Sequence, residues 1–191
     1  MEPEQAPIWT GAECYAEFGW IFAAANDRGL VRLAMQVDPV RAAARLPAGS
    51  PNPGPGARIV SETLFQLGEY FGRVRQSFSV PVDWLSMRPF QQQVLRLTAA
   101  IPYGEVRTYG EIARELGQLG AARAVGRALA TNPIGIILPC HRVVGADGSL
   151  HGFSAAGGLA TKAWLLALEG VCLEGDRVLL PGVQPVIPGL L

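Results

Sequence analysis

The sequence predicts a mixed α/β (α+β) chain in two parts. A small N-terminal α/β unit occupies residues 1–85, a helical unit with a helix-turn-helix occupies 86–170, and a tail occupies 171–191. Three observations predict it. Strand alternation around turn chemistry fills residues 18–35. An apolar stripe with helical period follows it. From Ser86 onward helix signals replace strand signals, and the charge balance moves from −2 over residues 1–85 to +3 over 86–170.

Taken in order, Phe18 to Ala25 reads as a strand, Asn26-Asp-Arg-Gly29 as a turn, and Leu30 to Met35 as the returning strand. Pro47 to Gly56, rich in Pro and Gly, reads as a surface loop that cannot bury itself. Val60, Leu64, Leu67, Phe71 and Val74 recur at steps of 4, 3, 4 and 3, which predicts one face of a helix. Phe78 to Val82 is a short strand or an extended exit. Pro89 suits a first helical turn, with Phe90, Val94 and Leu97 on one face. Ile101 to Gly104 breaks the chain. Thr108-Tyr-Gly-Glu111 is a capping box that opens a helix through Leu116. Gly117 to Gly120 is a turn, and Ala121 to Ala130 is a second short helix. This pair fits a helix-turn-helix, although a helical hairpin used only for packing gives the same pattern. Leu159 to Leu168 reads as a last helix.

Composition bounds the function. Hydrophobic residues make up 49% and charged residues 17% of 191, enough apolar side chain to exclude disorder of the whole chain. Sixteen basic residues balance sixteen acidic ones, so any nucleic-acid contact has to come from a local patch. Arg107, Arg114, Arg123 and Arg127 fall in the helix-turn-helix against Glu111 and Glu115, a small excess that a solvated face also shows. Lys162 is the one lysine; Arg supplies the other basic residues, as a G+C-rich genome would dictate. Three cysteines, none in a C-x-x-C pair, predict a reducing compartment, no disulfide scaffold and no zinc or other metal site. The acidic N-terminus does not resemble a signal peptide, and the uncharged stretch Val178 to Leu191 is short and holds three prolines. The chain is read as soluble and cytoplasmic, without a membrane contact.

Ile136 to Val144 carries the chemistry. Cys140 stands between apolar runs and is followed by His141 and Arg142. An isolated cysteine is by default an inert buried thiol in a strand. The functional reading takes it as a nucleophile, whose thiolate nearby cations favour. Consecutive side chains diverge, so His141 is expected to reach Cys140 through a water, with Glu169 able to hold the imidazole.

Asn132-Pro-Ile-Gly-Ile-Ile-Leu-Pro-Cys-His-Arg-Val-Val144 resembles the active-site signature of the O6-alkylguanine-DNA alkyltransferases, the methylated-DNA–protein-cysteine methyltransferases. Ile101 to Gly104, Thr108 to Ala113 and Ala121 to Gly126 resemble their helix-turn-helix, and Gly157 to Lys162 with Trp164 to Gly170 their last helix. Residues 19–33 and 67–82 resemble their N-terminal domain more loosely. The resemblance implies a ribonuclease H-like N-terminal domain and direct repair. Cys140 would accept the alkyl group from O6-alkylguanine, with O4-alkylthymine a second candidate lesion. Each molecule would react once, as a monomer, on double-stranded DNA and without a cofactor. Arg123 matches the arginine that fills the gap left by a flipped nucleotide, a step that costs a few kcal/mol. Thr108, Ala122, Ala124, Gly126 and Arg127 would complete a slim minor-groove surface; Ala is also simply the best helix former.

The resemblance makes Tyr109 a donor to guanine N3, where a lone Tyr would otherwise read as packing. It makes Asn132 the brace of the turn before an active-site strand, where Asn-Pro is also an ordinary helix stop. Leu129, Gly135, Val143, Phe153, Ser154 and Lys162 would line the pocket, with backbone around Val143 and Ser154 on the guanine edge. Gly135 stands where some members have Pro, which implies a roomier wall. The linker Gly152 to Gly158 is longer than usual, and Phe153 stands where Tyr is common. Cys14 and Cys172 have no assigned role and are read as small buried or surface thiols, and His151 is read as structural. The rivals are an alkyltransferase-like lesion sensor, against which the presence of Cys140 argues, and a cysteine hydrolase, which leaves the helix-turn-helix unexplained.

Overall fold

The computed structural model describes residues 7–35, 49–50 and 52–180. Its N-terminal part is a three-stranded antiparallel sheet in the order β1 (Trp9–Tyr15), β2 (Gly19–Ala25), β3 (Leu30–Met35). Helix α1 (Pro55–Phe71) packs across it. The expected hairpin is present in register, with Ile21 opposite Met35 and Ala23 opposite Leu33. β1 adds a strand that residue patterning did not reveal. Its burial is irregular along the strand, so Gly11-Ala-Glu-Cys14 lacks the alternation that marks a half-buried strand.

The loop expectation for residues 47–56 needs correction where it is described; Pro47, Ala48 and Pro51 lie outside the described residues. Pro55 is the first residue of α1, as its fixed φ permits. Gly54 and Gly56 lie flat on the Trp9 ring, where a Cβ would come within 2.3 and 2.2 Å of ring carbons. Trp9 Nε1 donates to the Asn52 carbonyl at 2.6 Å. The segment stays mostly exposed, as a loop, but its glycines admit the Trp9 indole, which it helps to bury. At its other end α1 closes earlier than the stripe suggests. Gly72 caps it and Arg73 turns left-handed (φ 58°), leaving Val74 beyond the helix and 78% exposed. Val60, Leu64, Leu67 and Tyr70 are buried.

β3 joins the halves. Leu30 exchanges backbone hydrogen bonds with the extended exit at Pro81 and Asp83 (2.8 and 3.0 Å), and the Leu33 amide donates to Pro133 at 2.8 Å. The otherwise open edge of the sheet is thus covered by the exit segment at residues 81–83 and by residues 133–134 of the second half. At the hairpin tip the Asn26 side-chain oxygen accepts the amides of Arg28 and Gly29, as an Asx turn does. Buried Asp83 receives Asn26 Nδ2 at 2.6 Å and the Arg28 guanidinium at 2.9 and 3.2 Å.

The second half holds α2 (Pro89–Ala99), α3 (Tyr109–Glu115), α4 (Ala122–Ala130) and α5 (Gly158–Leu168). The capping box forms as expected: the Thr108 hydroxyl accepts the Glu111 amide, and Glu111 accepts the Thr108 amide. Gly117 and Gly120 take positive φ (70° and 86°) in the turn between α3 and α4. β4 (Arg107–Thr108) pairs in parallel with β5 (Val143–Val144), which ties the start of α3 to the chain just after Cys140. Residues 171–180 include a tight antiparallel pair, β6 (Leu173–Glu174) and β7 (Arg177–Val178). Val178 packs there with Val144, Leu150 and Leu166. The main core runs unbroken from Trp9 to Leu168. No helix among the described residues is long and apolar enough to cross a membrane.

A Cβ at Gly29 would lie 2.6 Å from both the Asp83 nitrogen and the Val82 carbonyl carbon, backbone atoms that cannot rotate away. Gly29→Ala is expected to lower stability by about 1–3 kcal/mol in chemical denaturation. Gly152→Ala, where no atom lies within 4 Å, is expected to leave the midpoint unchanged.

Candidate active site

The segment before Cys140 is a tight loop held by one side chain. Asn132 Oδ1 accepts the Ile134 amide at 3.0 Å, and its Nδ2 donates to the Leu138 carbonyl at 2.7 Å. Between them Ile136, buried and β-branched, is forced to φ 69°. That conformation costs on the order of 1–3 kcal/mol and persists only where its surroundings overdetermine it. Cys140 does not lie on a strand: Cys140–Arg142 form a 3₁₀ turn, and the strand begins at Val143. Pro139 lacks the N–H that a ladder needs, and the turn releases consecutive side chains in different directions.

His141 and Arg142 use that freedom to reach Glu169, the residue that caps α5. His141 Nε2 lies 2.8 Å from Glu169 Oε1. Arg142 grips both carboxylate oxygens, at 2.8 Å from Nε and 2.9 Å from Nη2, and donates to the Ile101 carbonyl at 2.6 Å. Tyr70 on α1 donates its hydroxyl to Glu169 Oε1 at 2.7 Å, and the Gly104 amide reaches Oε2 at 3.3 Å. These donors overcome the burial of the carboxyl and hold its pKa down at about 2. An ionised Glu169 accepts, so His141 carries its proton on Nε2 and presents Nδ1 as a lone pair. Nδ1 is a buried atom with no protein hydrogen-bond partner. Burial lowers the His141 pKa, against the pull of Glu169, so the ring is neutral near pH 7.

Burial also governs the thiol. It raises the Cys140 pKa, outweighing the Asn132 side chain, the Lys162 charge and the nearby backbone amides, all of which favour the thiolate. The cations beside Cys140 therefore do not ionise it at rest, and a base is required. Lys162, on α5, is wholly buried and donates to the carbonyls of Val143 at 2.6 Å and His151 at 3.0 Å. Its pKa falls to about 8 through desolvation. Tyr109 is raised, first by burial and then by Cys140, so it remains a hydroxyl donor at neutral pH. Its ring stands beside Gly126, where a Cβ would lie 3.8 Å away, and its hydroxyl is 3.4 Å from the His151 carbonyl.

The residues singled out from sequence divide in two. Asn132, Cys140, His141, Glu169, Tyr109 and Lys162 form one connected cluster. Leu129 and Val143 are buried beside it, and Phe153 packs on the main core. Ser154 is exposed. Gly135 does not leave room in a wall: the Met35 methyl lies 2.5 Å from where its Cβ would stand, so β3 fills that space. On α4, Ala122, Ala124 and Gly126 are half-buried, while Arg123 and Arg127 project into solvent one turn apart. Thr108 is occupied by its capping box. Cys14 and Cys172 are exposed free thiols remote in role from this cluster. Sequence reasoning missed Arg142 as the partner of Glu169, and Tyr70. Tyr70 lies three residues beyond Leu67 on the same helical face and was legible there only as packing.

A recess of about 670 Å3 lies behind the turn, lined among others by Phe78, Trp84, Tyr103, Pro139 and Arg142; Cys140 does not line it. Cys140 instead interacts with Tyr109, the first residue of α3.

Residues 89–171 match the family model described as 6-O-methylguanine DNA methyltransferase, DNA binding domain. A methylated-DNA–protein-cysteine methyltransferase of Mycolicibacterium paratuberculosis is 50% identical over 112 residues, which is 59% of this chain and 66% of that protein. One from Mycobacterium bovis is 50% identical over 127 residues, 66% of this chain and 74% of that protein. Among solved structures, Mycobacterium tuberculosis OGT in complex with DNA superposes with a TM-score of 0.67 at 40% identity, covering 85% of this chain and 91% of that one. The chain belongs to the O6-methylguanine-DNA methyltransferase family.

Proposed function

We propose that this chain repairs DNA by moving the alkyl group of O6-alkylguanine to Cys140, once per molecule. The observation that carries the reading is the buried Cys140 followed in one 3₁₀ turn by an imidazole whose Nε2 is fixed by Glu169 at 2.8 Å and whose Nδ1 is unpartnered. A thiol held protonated by burial is inert until a base takes its proton, and the unpartnered His141 Nδ1 supplies a lone pair in the same turn. One bridging water links the two, because His141 and Cys140 leave the 3₁₀ turn in different directions. The thiolate attacks the alkyl carbon, an S–C bond forms, and the C–O6 bond breaks with its electron pair passing to the guanine ring. The Tyr109 hydroxyl donates to N3 as that charge develops. The thiol proton replaces the alkyl group on guanine, so atoms and charge balance without a cofactor. The thioether has no leaving route, which makes the protein its own co-substrate. Lys162 steadies the anion from the α5 side.

DNA engages α4. Arg123 and Arg127 share its exposed face with Gly126, and Tyr109 stands directly behind Gly126. A nucleotide flipped from the stack past this slim helix reaches Tyr109 and then Cys140. Arg123 fills the gap in the stack, and Thr108 and the small residues Ala122 and Ala124 let the duplex approach. Leu129, Val143, Phe153 and Ser154 bound the base pocket. The same reading takes residues 1–85 as a ribonuclease H-like domain, 86–170 as the DNA-binding and acceptor domain and 171–191 as its tail. The chain acts as a cytoplasmic monomer on double-stranded DNA.

Incubation with an O6-methylguanine duplex is expected to add one methyl group to the Cys140 peptide by mass spectrometry. Cys140→Ala is expected to show no gain while still binding DNA; an unmodified wild-type Cys140 that binds the lesion would instead favour a sensor.

Arg123→Ala is expected to slow repair in duplex by at least about tenfold, which is about 1.4 kcal/mol and so a part of the few kcal/mol of flipping. Its reaction with free O6-benzylguanine is expected to stay within about twofold, since no stack has to be opened. Equal loss in both assays would remove the flipping role.

Acid is expected to act through two groups. Glu169 holds its pKa at about 2 against an ordinary 4.5, so its contribution is present above 4.5 and lost as pH falls toward 2. His141 is folded in its neutral form, so the unfolded chain takes up the extra proton as pH falls below about 6.5, which also favours unfolding. Midpoints from urea denaturation are expected to fall from pH 6.5 downward and steeply below 4.5. Glu169→Gln, which strands buried Arg142, is expected to cost about 3–5 kcal/mol. It is also expected to slow transfer by about a hundredfold or more.

A further inference from the structure

Three donors converge on one oxygen of Glu169: Tyr70 at 2.7 Å, His141 Nε2 at 2.8 Å and Arg142 Nη2 at 2.9 Å. A carboxylate oxygen offers about two lone-pair sites, so the three compete, and each weakens the hold of the others. Two come from the 3₁₀ turn that carries Cys140. The third comes from the N-terminal sheet-and-helix unit, 99 residues earlier in the chain.

We propose that Tyr70 is a positioning residue for alkyl transfer: its hydroxyl sets how strongly Glu169 holds the His141 imidazole, and through it the basicity of Nδ1. This rests on the reading of Cys140 as acceptor and His141 as its base. The Tyr70 ring is fixed without Glu169. It is fully buried and touches Phe71 and Phe78 at 5.4 Å and Tyr103 edge-on at 6.1 Å, a cage that Phe would fill equally well. A buried hydroxyl in such a cage is unfavourable unless bonded, and Glu169 is its bond. Burial and Glu169 both raise its pKa far above the ordinary tyrosine range, so it donates at every working pH.

The direction follows from electrostatics. Removing the hydroxyl leaves Oε1 with two donors, the oxygen becomes a better acceptor for Nε2–H, and the imidazolium is stabilised. The charged or titratable groups facing His141 are Glu169, Arg142 and Lys162, with Cys140 adjacent; those facing Tyr70 are Glu169, Arg142 and Tyr103. Of these Glu169 titrates far lower, at about 2, which leaves His141 to shape the acid limb; Lys162, at about 8, marks the alkaline side.

The test measures single-turnover methyl transfer against pH for wild type and Tyr70→Phe, with NMR of the imidazoles. The acid limb of the Tyr70→Phe profile is expected to move up by about half to one unit, a three- to tenfold loss on that limb. Rates at the alkaline end are expected to agree within about twofold. The Nε2-bound proton of His141 is expected to shift, while His151, the other histidine, serves as internal reference. A fluorinated tyrosine at position 70, a stronger donor, is expected to move the limb the opposite way, and it stands in if Tyr70→Phe fails to fold. Superposed profiles with unmoved His141 resonances, or a uniform loss at every pH, overturn the proposal. If wild type transfers no alkyl group, the acceptor reading fails instead, and the imidazole resonances still decide whether Tyr70 acts on His141.

Discussion

The carboxylate of Glu169 is the constraint on which the rest of the molecule depends. It is a buried charge, and a buried charge survives only if paired and fully hydrogen-bonded. Its partners come from three places: Arg142 and His141 from the 3₁₀ turn, Gly104 from the break after α2, and Tyr70 from α1, while Glu169 itself stands at the end of α5. Moving any one of these elements strands a charge. This is why the turn carrying Cys140 is rigid although it has little regular structure of its own.

That rigidity has a chemical consequence. Depth protects the thiol and at the same time disables it, because burial raises its pKa more than Asn132 and Lys162 lower it. A thiol ionised at rest reacts with any electrophile that reaches it. A thiol that needs a base fixed by Glu169 ionises only where a substrate can be attacked. For a protein proposed to spend itself in one reaction, this restraint matters more than rate. The strained Ile136 and the brace of Asn132 serve the same end, holding the sulfur at one place.

Much of this was legible in the sequence, and the exceptions have physical reasons. The hairpin, the capping box and α2 to α5 follow local rules of period and turn chemistry, and these forecast the elements well. β1 was invisible because its pairing is long-range and its alternation is poor. The Pro/Gly segment before α1 is the loop its composition predicts, but the packing of its glycines on Trp9 was not legible, because that ring lies over forty residues away. In the site, Cys140, His141, Asn132 and Glu169 were found because their motif is contiguous or sits at the end of a strong helix. Arg142 was read as a cation for the thiol, yet its guanidinium is committed to Glu169. Tyr70 gave no chemical signal, since a tyrosine on an apolar helix face is indistinguishable from packing until the other half of the chain is folded against it. The room expected at Gly135 is absent for the same reason: Met35 comes from another strand.

The electrostatics of the outer face rest on similar bookkeeping. The chain is neutral overall, and the two acids of the helix-turn-helix do not neutralise its arginines evenly. Glu111 is held by the capping box, and Glu115 pairs with Arg107. Arg114 still acts on the Glu111 carboxylate, whereas Arg123 and Arg127 have no ion pair among the described residues and stand on the exposed face of a helix whose other side chains are mostly small. α4 has Ala121 at its N-cap position and no side-chain cap, so no carboxylate is spent there either. Local capping and pairing thus convert a small excess of charge into a directed one. A formal sum over the chain, or even over residues 86–170, is blind to that, because it does not register which acids are already engaged.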